Sequence, residues 1–198
     1  MAKLDTDNIA AAALAIVDEY GVPGFTMRAV ADALGVTPMA LYHYVSDKAA
    51  LAALLVDAAI RKNPLPPPTG KWQDDLWAMA NWMRENTLTH PVFIHLRRAY
   101  HVWTPTLLQM TERWLSLWQQ SGLDLDKAIL AAKTSSMAIS GFVDEEMIFS
   151  EMQPPDEATL SLLPNVRVMF NADRSREIEF ELAVKSLIEG LYARLSKT

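Results

Sequence analysis

Apolar positions along this chain recur mostly at helical spacing. Ile9, Ala13, Ile16, Val17 and Tyr20 fall on one face of a first helix, the pattern of an amphipathic segment. Thr6 or Asp7 is placed to cap its start and Gly21 to end it. After the turn Val22-Pro23-Gly24, Thr26 caps a short helix that stops at Gly35, and Thr37-Pro38 opens another that reaches Tyr44 or Val45. Ser46 is the cap expected for a fourth helix, which ends near Lys62 and turns Leu51, Leu54, Leu55 and Ala58 inward.

Residues 63–70 contain Pro64, Pro66, Pro67 and Pro68. This is the clearest break in composition, and it reads as a stiff connector. Beyond it the helices lengthen. Trp72, Leu76, Met79, Ala80 and Met83 mark one face of the next helix, Pro91 opens a shorter one, and Thr104-Pro105 starts another that ends at Ser121. Asp124 caps a long helix to about Met152, Pro154-Pro155 breaks it, and residues 156–163 form one short helix. Residues 163–173 read as irregular, and a last helix runs over about 174–196. Residues 166–170 are the only strand candidate, and a lone short strand has nothing to pair with. The fold class is therefore all-α. A three-helix head with its supporting helix spans residues 1–62, a proline-rich linker 63–70, and a larger helical domain 71–198.

The head carries the chemistry. Two short helices meet at Gly35, where a sharp turn needs positive φ. Val30, Leu34, Val36 and Leu41 are spaced to pack together and Ala31 permits close approach. This is helix-turn-helix geometry, whose second helix enters a DNA major groove. The outward residues of that helix are Thr37, Pro38, Met39, Ala40, Tyr42 and His43, short or flat and free of acids. Hydroxyls and imidazole can reach phosphates or base edges, and Met39 and Ala40 can touch thymine methyls. Lys48 in the first turn of the fourth helix, with Thr26 and Arg28 at the start of the second, can hold backbone phosphates.

Charge enters only as a constraint. The net charge of the 198-residue chain is −6. The first 62 residues hold Lys3, Arg28, Lys48, Arg61 and Lys62 against Asp5, Asp7, Asp18, Glu19, Asp32, Asp47 and Asp57. A DNA-binding surface must therefore arise from placement, not from total charge.

The segment Gly21-x-x-Gly24-Phe25-Thr26, the run Val30-Ala31-x-x-Leu34-Gly35-Val36, and Leu41-Tyr42-x-Tyr44-Val45 followed by Lys48-x-x-Leu51 together resemble the tetracycline-repressor (TetR) family of bacterial transcription regulators. The resemblance covers about the first 60 residues. It implies that the recognition helix spans 37–44, that Tyr42 and His43 contact DNA, that Lys48 holds a phosphate, and that Tyr44 packs inward as a structural residue. It also implies that the rest of the chain is a helical ligand-binding and dimerisation domain. Over residues 70–149, Trp72-Gln73-Asp74, Gln119-Gln120-x-Gly122 and Gly141-x-Val143-x-Glu145 are similar to the tetracycline-responsive branch. Met79, Met83 and Trp114 stand where that branch places polar drug-binding groups, so tetracycline–magnesium is not the effector implied.

The larger domain has a sensor's composition. All six tryptophans lie between residues 72 and 118, and the chain has ten methionines. Such walls suit a flat or apolar ligand, and the pocket candidates are Trp82, Met83, His95, Trp103, Trp114, Met137 and Phe142. The Asp144-Glu145-Glu146 run reads as a solvated face. The last long helices are apolar on two sides, as with Phe180, Val184, Leu187 and Leu191 beside Ile178, Leu182, Ile188 and Tyr192. A helix with two apolar faces needs two partners, so a homodimer through helices 124–152 and 174–196 is expected.

Other classes are disfavoured. Cysteine is absent, which excludes disulfides, thiolate metal sites and a cysteine nucleophile. No phosphate-binding glycine loop and no GxSxG run occurs. No metal site, cofactor or enzymatic activity is expected. The longest apolar run is residues 9–17, well short of the roughly 20 needed for a membrane span. Acids occupy the start, where a signal peptide has a basic region, so a cytoplasmic location is expected. The reading is thus a ligand-responsive regulator, a repressor released from a palindromic operator by a small apolar or aromatic molecule. The rival is a helical small-molecule-binding protein or enzyme whose head is only structural.

Overall fold

The computed structural model describes residues 4–171 and 175–197. Among them are eleven helices and no strand: α1 (Thr6–Gly24), α2 (Met27–Leu34), α3 (Pro38–Tyr42), α4 (Lys48–Lys62), α5 (Trp72–Thr89), α6 (Val92–Tyr100), α7 (Pro105–Gln120), α8 (Leu125–Glu151), α9 (Glu157–Ser161), α10 (Pro164–Asn171) and α11 (Arg176–Leu195).

Short polar side chains start most of these helices by accepting the otherwise orphaned N–H three residues on. Thr26 accepts from the Ala29 N–H at 3.1 Å, Thr37 from Ala40 at 3.2 Å, and Thr104 from Leu107 at 3.1 Å. Asp124 does the same for Lys127 at 3.0 Å. Two caps differ from the sequence reading. Asp5 caps α1, accepting from Asn8 at 2.9 Å, where Thr6 or Asp7 was expected. Asp47 caps α4, accepting from Ala50 at 2.7 Å, while the Ser46 hydroxyl donates to Asp47. In both cases an extended aspartate stands at the boundary.

Two glycines set direction. Gly21 has φ +65° and breaks the helical path of α1 just before Pro23. Gly35 sits in the left-handed region with φ +66° and ψ 31°. Its N–H donates to the Asp32 carbonyl at 3.1 Å, and the Val36 N–H donates to Ala31 at 3.0 Å. This closes the end of α2 and turns the chain toward α3.

The chain forms two compact units. The first comprises Met1–Pro67 and Glu85–Trp114, the second Pro68–Arg84 and Leu115–Thr198. Packing thus departs from the break expected at residues 63–70, because 85–114 belong with the head. The core of the first unit joins Ile9, Ala13 and Val17 of α1, Phe25, Val30 and Ala31, Leu41 of α3, and Leu51, Leu55 and Val56 of α4 to Leu96, Val102 and Leu107. Tyr20, expected on the inner face of α1, is exposed.

The second unit packs α8 against α11. Trp118 is wholly buried, and its indole N–H donates to the Ser135 hydroxyl at 3.1 Å. That hydroxyl in turn donates to the Ala131 carbonyl at 2.6 Å, so both buried polar groups are satisfied. The Trp72 ring lies against Trp118 and Tyr192. The expected solvated acidic face is different for Glu146. Arg84 of α5 donates to it twice, at 2.7 and 2.5 Å, with both side chains largely buried and the guanidinium over Phe180. Within the stretch 163–173, expected to be irregular, residues 164–171 are helical, and 172–173 lie outside the described residues. Pro164 opens α10, and Arg167 pairs with Glu157 of α9 at 2.5 Å. The strand candidate 166–170 is helical. Arg174, where the last helix was expected to begin, lies outside the described residues.

Two outcomes follow for stability, both readable by urea unfolding. Gly35→Ala imposes a side chain on a left-handed backbone and lowers stability by about 1–2 kcal/mol. Arg84→Met strands the Glu146 carboxylate in a poorly hydrated site and costs about 3 kcal/mol, whereas adding Glu146→Leu recovers most of the loss.

Candidate nucleic-acid interface

The local sequence builds the surface of the head. The buried Val30 and Ala31 of α2 and Leu41 of α3 anchor the two helices to the core. The remaining α3 side chains must point away. Met39 is 70% exposed and Tyr42 48% exposed, and Thr37, Pro38 and His43 are also exposed. Ala40 is half-buried, placed between the core and the outer surface.

The flanks frame this helix. Thr26 and Arg28 are exposed at the start of α2, and the Arg28 guanidinium lies 3.7 Å from Asp32 with both side chains in solvent. Such a pair is weakly held, so Arg28 can exchange Asp32 for a phosphate. The Asp47 carboxylate is turned to the α4 backbone, where the helix N-terminus stabilises it. The stretch 37–46 contains no acid. The seven acids of the head therefore leave α3 with a locally neutral, donor-bearing surface.

Two residues differ in detail from expectation. Tyr44 is not packed inward. It is 45% exposed, and its hydroxyl donates to the Leu4 carbonyl at 2.8 Å, tying the segment before α1 to the end of α3. Its role is structural through that bond, not through burial. Lys48 is half-buried, with its ammonium over the rings of Phe25 and Tyr100. Neither ring was among the sequence candidates. Tyr100 lies 52 positions beyond Lys48, and no local spacing links them; only tertiary packing brings them together.

The candidates for the effector pocket fall into both units. His95, Trp103 and Trp114 are in the first, and Trp82, Met83, Met137 and Phe142 are in the second. Trp82 and Trp114 are buried and Met83 is half-buried. Trp103 is 65% exposed and Met137 73% exposed, and Phe142 is also exposed. Trp103 lies in the loop between α6 and α7, and Met137 and Phe142 lie on α8, so these three are surface positions in the chain as described. His95 edges an open hollow with Val22, Pro23, Arg98 and Ala99. A further cavity of about 300 Å³ lies between α1 and α4, lined by Ala10, Leu14, Leu55 and Ala58 among others. Among the described residues, no three His, Asp or Glu side chains gather as a metal site. No helix among them is long and apolar enough to cross a membrane.

Comparison with known proteins agrees with this arrangement. Residues 9–55 match the family described as bacterial regulatory proteins, tetR family, and residues 63–195 match the tetracyclin repressor-like C-terminal domain. The chain belongs to the TetR family. As a member it is a ligand-responsive, DNA-binding transcription regulator. It is 28% identical over 202 residues to the tetracycline repressor protein class E of Escherichia coli, covering 100% of this chain and 95% of that protein. Among solved structures it is similar to ActR of Streptomyces coelicolor in complex with (S)-DNPA, with a TM-score of 0.75, 22% identity, and coverage of 98% and 99% of the two chains. It is likewise similar to BioQ with its double-stranded DNA operator, with a TM-score of 0.71, 22% identity, and coverage of 96% and 99%. These structural likenesses show the shared fold.

The Thr37 cap is what starts α3. Thr37→Ala should cost about 1 kcal/mol and speed amide exchange at Ala40, while Thr37→Ser leaves both near the parent values.

Proposed function

We propose that this TetR-family chain represses transcription as a homodimer, placing two copies of α3 in successive major grooves of an inverted-repeat operator. The observation that carries the reading is the exposed, acid-free α3 surface, held out by a buried Leu41 and flanked by Arg28 and Lys48. In this role Met39 and Ala40 meet thymine methyls, Tyr42 and His43 reach bases or phosphates, and Thr26, Arg28, Thr37, Pro38 and Lys48 set the register on the backbone. Residues 1–62 are the DNA-binding part, 63–70 the connector, and 71–198 the effector-binding and dimerisation part.

Two faces of α8 and α11 support the dimer. One face buries Ala128, Ala131, Ile139 and Val143 of α8 against Phe180, Val184 and Ile188 of α11. The other leaves Leu130, Met137, Ile178 and Leu182 exposed, an apolar set that a second copy would cover. Two-fold pairing sets the heads about 34–36 Å apart, or a multiple of that spacing.

The effector is a small, largely apolar or aromatic molecule. ActR in complex with (S)-DNPA shows a related fold holding a small molecule, and the tryptophan-rich stretch 72–118 supports an aromatic ligand here. The candidate contacts for it are Trp82, Met83, Met137 and Phe142 in the second unit and, taken separately, His95, Trp103 and Trp114 in the first. A coupling of about 1–3 kcal/mol would change operator affinity roughly 5- to 150-fold. The protein acts in the cytoplasm and has no enzymatic activity in this reading.

Selection of bound sequences from a random duplex pool tests it. The expected result is an inverted repeat whose affinity falls steeply with salt, as phosphate contacts require. A folded, dimeric protein that enriches no sequence would favour a head that is only structural. Replacing Leu130 and Leu182 with glutamate should yield monomers by sedimentation and abolish binding to the full repeat.

A further inference from the structure

The match to the DNA-binding family model ends at residue 55, but the head's packing does not. Leu96 of α6 is wholly buried in the same core as Ile9, Phe25 and Leu55. At the end of α6, the Tyr100 ring meets the Phe25 ring edge-on, with centroids 6.2 Å apart and planes at 64°. The Lys48 ammonium stands 5.7 Å from the Phe25 centroid and 5.4 Å from the Tyr100 centroid. Both distances fall within the reach of a cation–π contact.

We propose that Tyr100 is a positioning residue of the DNA interface: with Phe25 it forms an aromatic cage that holds the Lys48 ammonium at the start of α4 for an operator phosphate. The inference rests on the DNA-binding reading above. Lys48 is the first residue of α4, beside α3, and it is half-buried, so solvent still reaches it. The neighbouring Asp47 carboxylate is occupied by the Ala50 N–H and the Ser46 hydroxyl. Rings attract a cation without neutralising it, so the charge stays available to a phosphate. A free lysine stem loses rotamer freedom when it seats an anion. A caged one has lost part of that freedom before DNA arrives. Phe25 is fixed by burial in the head core, so the exchangeable wall of the cage is Tyr100, supplied by a helix outside the helix-turn-helix.

The test uses the full chain and the duplex obtained by selection. Operator affinity and its salt dependence are measured for the parent, Tyr100→Leu, Tyr100→Phe, Lys48→Met, and the double variant Tyr100→Leu/Lys48→Met. Tyr100→Leu should weaken binding about three- to tenfold per head, and Tyr100→Phe, which keeps the ring, should bind as the parent does. Lys48→Met should lower the salt slope by about one per head, and adding Tyr100→Leu to it should cost nothing more. An equal loss from Tyr100→Leu in the Lys48→Met background would overturn the proposal, since Tyr100 would then act through packing alone. So would unchanged affinity in Tyr100→Leu. The proton resonances of the Lys48 ε-methylene should be ring-shifted upfield in the parent and in Tyr100→Phe, and shifted less in Tyr100→Leu, where only the Phe25 ring remains; unshifted resonances in the parent would refute the cage itself. Failure of the parent to enrich any duplex would remove the DNA-binding reading and this inference with it. Parent binding that is indifferent to Tyr100 removes only the inference.

Discussion

Presentation of α3 depends on one continuous apolar core. A helix of five residues has no stability of its own, because nucleation is costly and few bonds repay it. It persists here because Leu41 is wholly buried in the head core, and because the Thr37 side chain caps the Ala40 N–H while Pro38 brings no N–H of its own. The same core extends through Phe25 to Leu96 and Val102. A helix-turn-helix is a surface device, but its geometry is set from beneath, and α6 forms part of that foundation.

Electrostatics then works by subtraction. The chain is acidic, yet several of its acids are committed elsewhere. Asp5, Asp47 and Asp124 each accept backbone N–H groups at helix starts. Asp57 pairs with Arg61, and Glu146 with Arg84. A carboxylate at a helix N-terminus is stabilised by the local field and offers less of its charge outward. Lys48 takes the opposite course. It is held by ring faces, which leave its charge intact. A protein of net negative charge thereby keeps a compatible surface around α3.

Much of the architecture could be read from local signals. Thr26, Thr37 and Thr104, with prolines after two of them, mark helix starts that the structure bears out, and Gly35 marks the turn. The cap of α4 shows how such reading slips. Ser46 and Asp47 are adjacent and equally able to cap, and the choice between them depends on which residue the preceding turn leaves extended. Residues 163–173 show another limit. Residues 164–171 of this stretch form α10, which is only eight residues long and has no buried side chain, so no inner face marks it in the sequence. The Asp144–Glu146 run looked solvated because Arg84 lies 62 positions away from Glu146.

By itself the sequence determined the helical class, the helix-turn-helix, the family resemblance and the set of residues that α3 turns outward. All of these depend on spacing within a few turns, where backbone geometry is nearly invariant. Tertiary structure alone decided that residues 85–114 pack with the head, that Arg84 meets Glu146, and that Lys48 lies between Phe25 and Tyr100. It also decided which candidate pocket residues are buried. Contacts between residues far apart in sequence depend on how helices cross and pack, and many sequences share one periodicity while differing in that packing. The composition of residues 72–118 therefore announces aromatic material for a sensor, whereas the fold distributes it between core and surface.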